Sequence, residues 1–177
     1  MRIILCAFDE ALQTAWEAAL PLVAGDVINA GHSIEVMQGD IIKLAVTAVV
    51  SPANSHGYMR GGVDLAYTRY FGPGVEAALR AQIATLPGAL LPVGEALAVP
   101  TGDTAIPFLV SAPTMETPQR LSGPEPVFAA AKAAVVCALA EGYDSLAFPG
   151  MGTGTGGLAF DTAAEAMLRG IREGLVG

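Results

Sequence analysis

Apolar residues recur along this chain in two ways: as short continuous runs, which suit buried strands, and as longer stretches spaced for one face of a helix. Arg2–Phe8 (RIILCAF) is the first strand, and Asp9 is a good N-cap for a helix over Glu10–Val23. Val27–Ala30 and Ser33–Met37 are short strand candidates around the turn Gly31-His32. Gly39-Asp40 leads into a short turn or helix, and Val46–Val50 is the next strand. Val63–Tyr70 and Val75–Thr85 read as helices separated by Gly-Pro-Gly. Glu95–Val99 and Phe108–Ala112 are strands, Glu125–Glu141 is an alanine-rich helix, Ser145–Phe148 a strand and Asp161–Glu173 the last helix.

Strands that alternate with helices, several of them continuous apolar runs, predict an α/β domain, its mostly parallel sheet covered on both faces. No internal repeat, charge block or long linker interrupts the pattern, so residues 1–177 are expected to form one domain. Ligands in such folds sit beyond the carboxyl ends of strands. Three segments occupy that position: Ser51–Asp64 (SPANSHGYMRGGVD), Ser111–Met115 (SAPTM) and Pro149–Gly157 (PGMGTGTGG).

Composition narrows the choice of ligand. The chain is 53% hydrophobic, yet no apolar run approaches the roughly 18 residues of a membrane span. Phe128–Ala140 comes nearest and is broken by Lys132, while Asp9, Glu10 and Glu17 interrupt any signal-peptide core. A soluble, cytoplasmic protein without a membrane partner is expected. Nine basic against seventeen acidic residues give a net charge of −8, which excludes a groove for nucleic acid. An anionic ligand must then be held by backbone N–H groups and helix ends. Cys6 and Cys137 lie in apolar segments without a Cys-x-x-Cys or His/Cys cluster, so reduced core thiols are expected, and no metal site.

Gly150, Gly152, Gly154, Gly156 and Gly157 crowd one strand-to-helix loop. Glycines let successive backbone N–H groups approach phosphate oxygens. Gly152, Gly154 and Gly157 satisfy G-x-G-x-x-G, but the dinucleotide fingerprint also needs a further strand and an acidic ribose ligand about 20 residues on, for which residues 158–177 leave no room. Leu158 stands where a Walker A loop requires Lys. A phosphate-cradling loop is the favoured reading over a turn that only permits tight helix packing. Among the polar residues, Asp40 is readable as a cap for the turn from Ile41, Asn54 as an Asx-turn, Asp64 as a cap for a helix from Leu65 and His56 as a solvent-facing loop residue. Singly, none is specific.

Their order is. QGDI (38–41), then an apolar strand, PAN (52–54), GGVD (61–64) and FPGMGTGTGG (148–157) together resemble the macro domain family, the ADP-ribose-binding fold, over about residues 34–175. The resemblance implies a three-layer α/β/α sandwich with a mixed, mostly parallel central sheet, to which residues 1–30 add a strand and helix. It implies ADP-ribose or an ADP-ribosylated substrate as partner; no cofactor is expected, and no obligate protein partner is inferable. Residue by residue, Asp40 resembles the carboxylate that accepts from the adenine amino group, beside the Ile41 backbone. Asn54 resembles the amide that holds the distal ribose. Gly61, Gly62 and Val63 line that ribose and the phosphates, and Asp64 resembles the carboxylate that orients or activates water. Gly150, Gly152, Thr153, Gly154, Thr155, Gly156 and Gly157 look like the diphosphate loop. Asn54 and Asp64 are thus the catalytic candidates. The chain departs from the family pattern at Ser51, which replaces the first Asn of the usual motif, at Pro52, and at Met59-Arg60. Arg60 is readable as a phosphate contact or as an obstruction. The implied function is ADP-ribose binding with hydrolysis of ester-linked mono-ADP-ribose or O-acetyl-ADP-ribose. A non-catalytic binding module and an ADP-ribose 1″-phosphate phosphatase are the alternatives.

Overall fold

The computed structural model describes residues 1–177 as a three-layer α/β/α sandwich around one six-stranded sheet. The strands are β1 (Arg2–Ala7), β2 (Ser33–Gln38), β3 (Ala48–Ser51), β4 (Leu97–Pro100), β5 (Phe108–Ser111) and β6 (Ser145–Phe148). Their order across the sheet is β2-β1-β6-β3-β5-β4. Every neighbouring pair is parallel except β4–β5, which is antiparallel at one edge. The sheet is therefore mixed and mostly parallel, as the apolar strand runs predict. Pro100 ends β4, and an edge strand is where a residue without an N–H is tolerated.

The six helices are α1 (Glu10–Ala19), α2 (Ala24–Asn29), α3 (Gly62–Phe71), α4 (Gly74–Ile83), α5 (Glu125–Ala140) and α6 (Phe160–Val176). Alternate strand residues serve opposite layers. Ile3, Leu5, Val50, Val110 and Phe148 pack with Trp16 of α1, Val127 of α5 and Met167 of α6. Ile4, Cys6, Val49 and Leu109 pack on the other face with Tyr67 of α3 and Leu79 of α4. Cys6 is buried and Cys137 half-buried, and both are free thiols.

Two sequence expectations are corrected at the start of the chain. The helix from Glu10 stops at Ala19, because Pro21 has no N–H to continue the ladder and a short 3-10 turn, Leu20–Leu22, follows. Val27–Ala30, expected as a strand, instead belongs to α2 and the residue that caps it. Val27 is fully buried against the α1 and α6 layer, and packing there overrides the β preference of Val-Ile. β1 is no peripheral piece: it lies between β2 and β6, hydrogen-bonded to both.

Candidate ligand-binding cleft

All five parallel strands end at the same edge of the sheet, and the segments leaving them enclose a cleft of about 610 Å³. Phe8, Asp9 and Leu12 follow β1; Gly39, Asp40 and Ile41 follow β2; Pro52 to Asn54 follow β3; Thr114, Met115 and Pro118 follow β5; and Pro149, Gly150 and Gly152 to Gly156 follow β6. Of the residues singled out from sequence, Asp40, Ile41, Asn54, Gly61, Gly62, Val63, Asp64, Gly150, Gly152, Thr153, Gly154, Thr155 and Gly156 all line this one cleft. Gly157 lies just outside it, packed beneath the Arg120 guanidinium.

The glycine-rich loop is built for two purposes. Gly152 has φ +78°, and a Cβ at that position would meet Val127 at 2.5 Å. A Cβ on Gly156 would stand 2.6 Å from the carbonyl oxygen of Gly152. These glycines let the loop fold tightly against α5 and upon itself, with Leu158 N–H bonded to Gly152 O at 3.0 Å and Leu121 N–H to Gly156 O at 2.9 Å. The tight packing that such a glycine-rich turn permits is thus present in full. It leaves the N–H groups of Thr153, Gly154, Thr155 and Gly156 without an acceptor in the chain, and Gly154 faces open space. A second set of donors lies across the cleft. Helix α3 begins at Gly62 with no side-chain cap, so its first N–H groups and the positive end of its dipole are directed at the cleft. These two sets of donors suit an anionic ligand in a chain of net charge −8.

Asp64 sits in the first turn of α3 and does not precede the helix, so the cap reading is replaced by another. Its carboxylate turns inward, is only 8% exposed, and accepts a hydrogen bond from the Ser51 hydroxyl. Burial pushes its pKa up to about 7, against a smaller lowering by the Ser51 hydrogen bond. Tyr67 lies beneath, its own pKa raised by burial and by Asp64, and its neutral phenol donates to Val50 O at 3.0 Å. Asn54 is engaged locally. Its Oδ1 accepts from the N–H groups of His56 (3.1 Å) and Tyr58 (3.3 Å), and its Nδ2 donates to Tyr58 O at 2.9 Å. The Asx-turn reading is therefore correct, and one Nδ2 proton remains for a ligand. Asp40 accepts from Ile42 N–H at 3.3 Å as cap of a short 3-10 turn, while its other oxygen lies 3.7 Å from Lys43. Asp40 also helps burial raise the Cys6 thiol to about 11.

The sequence profile of the Macro domain family matches residues 50–167. The chain belongs to the macro domain family. A protein of Aquifex aeolicus is 38% identical over 140 residues, covering 79% of this chain and 81% of its own length. A Cronobacter sakazakii protein named O-acetyl-ADP-ribose deacetylase is 33% identical over 146 residues, covering 77% of this chain and 79% of its own. The Oceanobacillus iheyensis macrodomain, solved with ADP, superposes with a TM-score of 0.68 at 24% identity over 78% of this chain and 74% of that one. This last likeness supports the fold.

Sequence reasoning missed one lining segment of this macro domain and the parts played by two residues near the cleft. Phe8, Asp9 and Leu12 come from the N-terminal strand and helix, whose central position in the sheet no local pattern discloses. Phe8 is 87% exposed at the cleft, and its place at the carboxyl end of an apolar strand is the sequence cue that could have marked it. Ser51 read only as a departure, yet it is fully buried and holds Asp64. Arg60 neither fills the cleft nor lines it: it lies over the Tyr58 ring and 3.8 Å from Glu76.

Proposed function

We propose that this macro domain binds ADP-ribose, free or attached to a protein or metabolite, in the cytoplasm, and hydrolyses the ester that links it. The observation that carries the reading is the convergence of two sets of unpartnered N–H groups and one buried carboxylate, Asp64, in a single cleft. The diphosphate lies on the glycine loop and the start of α3, the adenine lies beside Asp40 and Ile41 with Phe8 available to stack on it, and the distal ribose lies against Asn54 and Asp64. That the Oceanobacillus macrodomain was solved with ADP, and that the Cronobacter relative is named O-acetyl-ADP-ribose deacetylase, supports reading the cleft as an ADP-ribose site.

Asp64 is suited to act as general base. With its pKa near 7 it is partly ionised at neutral pH yet basic enough to take a proton from water. Water adds to the ester carbonyl carbon as Asp64 accepts its proton. The carbonyl carbon–oxygen bond to the ribose then breaks, releasing the carboxylic acid and returning the proton to the ribose hydroxyl. Fixing both ends of the ligand supplies the orientation this step requires.

One observation favours binding without turnover: the Asn54 amide is committed to its own loop, leaving one proton to position the ribose. Release of ADP-ribose from a glutamate-linked ADP-ribosylated protein and from O-acetyl-ADP-ribose separates the two readings. The wild-type chain is expected to release it, and Asp64→Ala to lose about 100-fold or more. An Asp64→Ala variant at the wild-type rate contradicts the catalytic role, and ligand binding without release in single-turnover conditions leaves the binding module.

A further inference from the structure

Tyr58 lines the cleft beside Asn54 and is 38% exposed, and two arginines converge on it. The guanidinium carbon of Arg80 lies 4.2 Å from the ring centroid and that of Arg60 4.6 Å. Arg80 donates one N–H to the Tyr58 hydroxyl at 3.2 Å. The nearest carboxylate to Arg60 is Glu76, whose Oε1 is 3.8 Å away, beyond hydrogen-bond range, while its Oε2 accepts the Met59 N–H at 2.9 Å. Two guanidiniums carry about ten N–H donors between them; the Tyr58 hydroxyl is the one protein acceptor they hydrogen-bond, and Glu76 is an ion-pair neighbour of Arg60 alone.

Holding this loop in place would need only one of them. Tyr58 is already anchored through its backbone N–H and carbonyl to Asn54, and Thr68 Oγ1 donates to Met59 O at 3.2 Å. In a chain with nine cations against seventeen anions, crowding two cations on one exposed ring is costly, and their planar, bidentate donors match carboxylates. The site they flank is the ribose end of the cleft, where the chain attached to the distal ribose must leave. We propose that Arg60 and Arg80, both over the Tyr58 ring, receive acidic side chains flanking the modified residue, so that the substrates are ADP-ribosylated proteins with acidic surroundings. This rests on the ADP-ribose reading above. A nucleic acid strand is disfavoured because a polyphosphate needs a longer basic stripe than two arginines in an acidic surface.

The test uses peptides of equal length carrying one ADP-ribose through a hydrolysis-resistant amide, flanked by Asp/Glu or by Lys, titrated against the whole protein by fluorescence polarisation. Because the protein as a whole is acidic, general electrostatics favour the Lys-flanked peptide. The proposal requires the reverse: about tenfold tighter binding of the acidic peptide at low salt, shrinking as salt is raised. Arg60→Gln with Arg80→Gln abolishes or inverts the preference and leaves the affinity for free ADP-ribose unchanged, which also reports that the cleft is folded. Arg60→Lys with Arg80→Lys keeps part of it. Tight binding of free ADP-ribose with no preference for the acidic peptide in the wild type overturns the inference and spares the reading beneath it. A stronger preference for an ADP-ribosylated oligonucleotide also overturns it. Failure to bind free ADP-ribose removes both.

Discussion

Replacing Asp64 by Asn separates what this carboxylate does for chemistry from what it does to stability. Asn keeps the shape and still accepts the Ser51 hydroxyl, but it cannot ionise. In the folded chain Asp64 holds its proton up to about pH 7, whereas in the unfolded chain it loses it near 3.8. Between those values the folded state binds more protons, so stability falls as pH rises, and the full penalty is present above about pH 7. The difference of about 3 pH corresponds to about 4 kcal/mol at about 1.36 kcal/mol each, an upper bound because water reaches the cleft side of the carboxylate. Asp64→Asn should therefore match the wild type near pH 4 and exceed it by ~2–4 kcal/mol at pH 8, a rise in Tm of roughly 10 °C for a chain of this size. Urea unfolding and thermal melts across pH 4–9 measure this directly, and an activity assay on the same samples should show turnover lost. Parallel stability curves for the two proteins across that range, or an Asn variant less stable at pH 8, would refute the reasoning.

Other consequences follow from the same cleft. The hydrolysis rate should rise with pH through about 7 as Asp64 ionises, and Ser51→Ala should move that limb to higher pH, since the hydroxyl hydrogen bond favours the ionised form; a limb unmoved in the variant's pH–rate profile contradicts this. Phe8→Ala should leave the melting temperature unchanged, because the ring is exposed, and weaken ADP-ribose binding in calorimetry by ~1–3 kcal/mol, the usual loss for a base deprived of its aromatic platform. Gly156→Ala places a methyl 2.6 Å from the Gly152 carbonyl and displaces the loop, so ADP-ribose affinity should fall about tenfold or more while adenosine binding changes less; equal losses for both ligands would place the diphosphate elsewhere.

Much of this arrangement is legible from the chain alone, for identifiable reasons. All six strands begin and end within two residues of the bounds read from the sequence, the central ones because a strand buried on both faces is apolar throughout. The order of the Gly-Asp, Pro-Ala-Asn, Gly-Gly-Val-Asp and glycine-rich segments anticipates a shared cleft because each follows a strand in a parallel sheet. What escapes is set by tertiary contacts. The Val27 segment is helical because its side chain fills the layer under α1 and α6, and the β-branched local sequence gives no sign of that. Phe8 reaches the cleft only because β1 is inserted between β2 and β6, a pairing across more than 130 residues of chain. The inward turn of Asp64 depends on Ser51, thirteen residues away, and the pair is invisible until α3 packs on the sheet. Asn54 illustrates a residue whose local and ligand roles compete for the same few hydrogen-bonding groups.

Calorimetric titration of the purified chain with ADP-ribose, with AMP and NAD as controls, tests the proposed function at its base. Saturable, one-to-one binding at micromolar or tighter affinity, selective over both controls and weakened by Gly156→Ala, is the predicted result. No heat and no thermal stabilisation at millimolar ADP-ribose would contradict it.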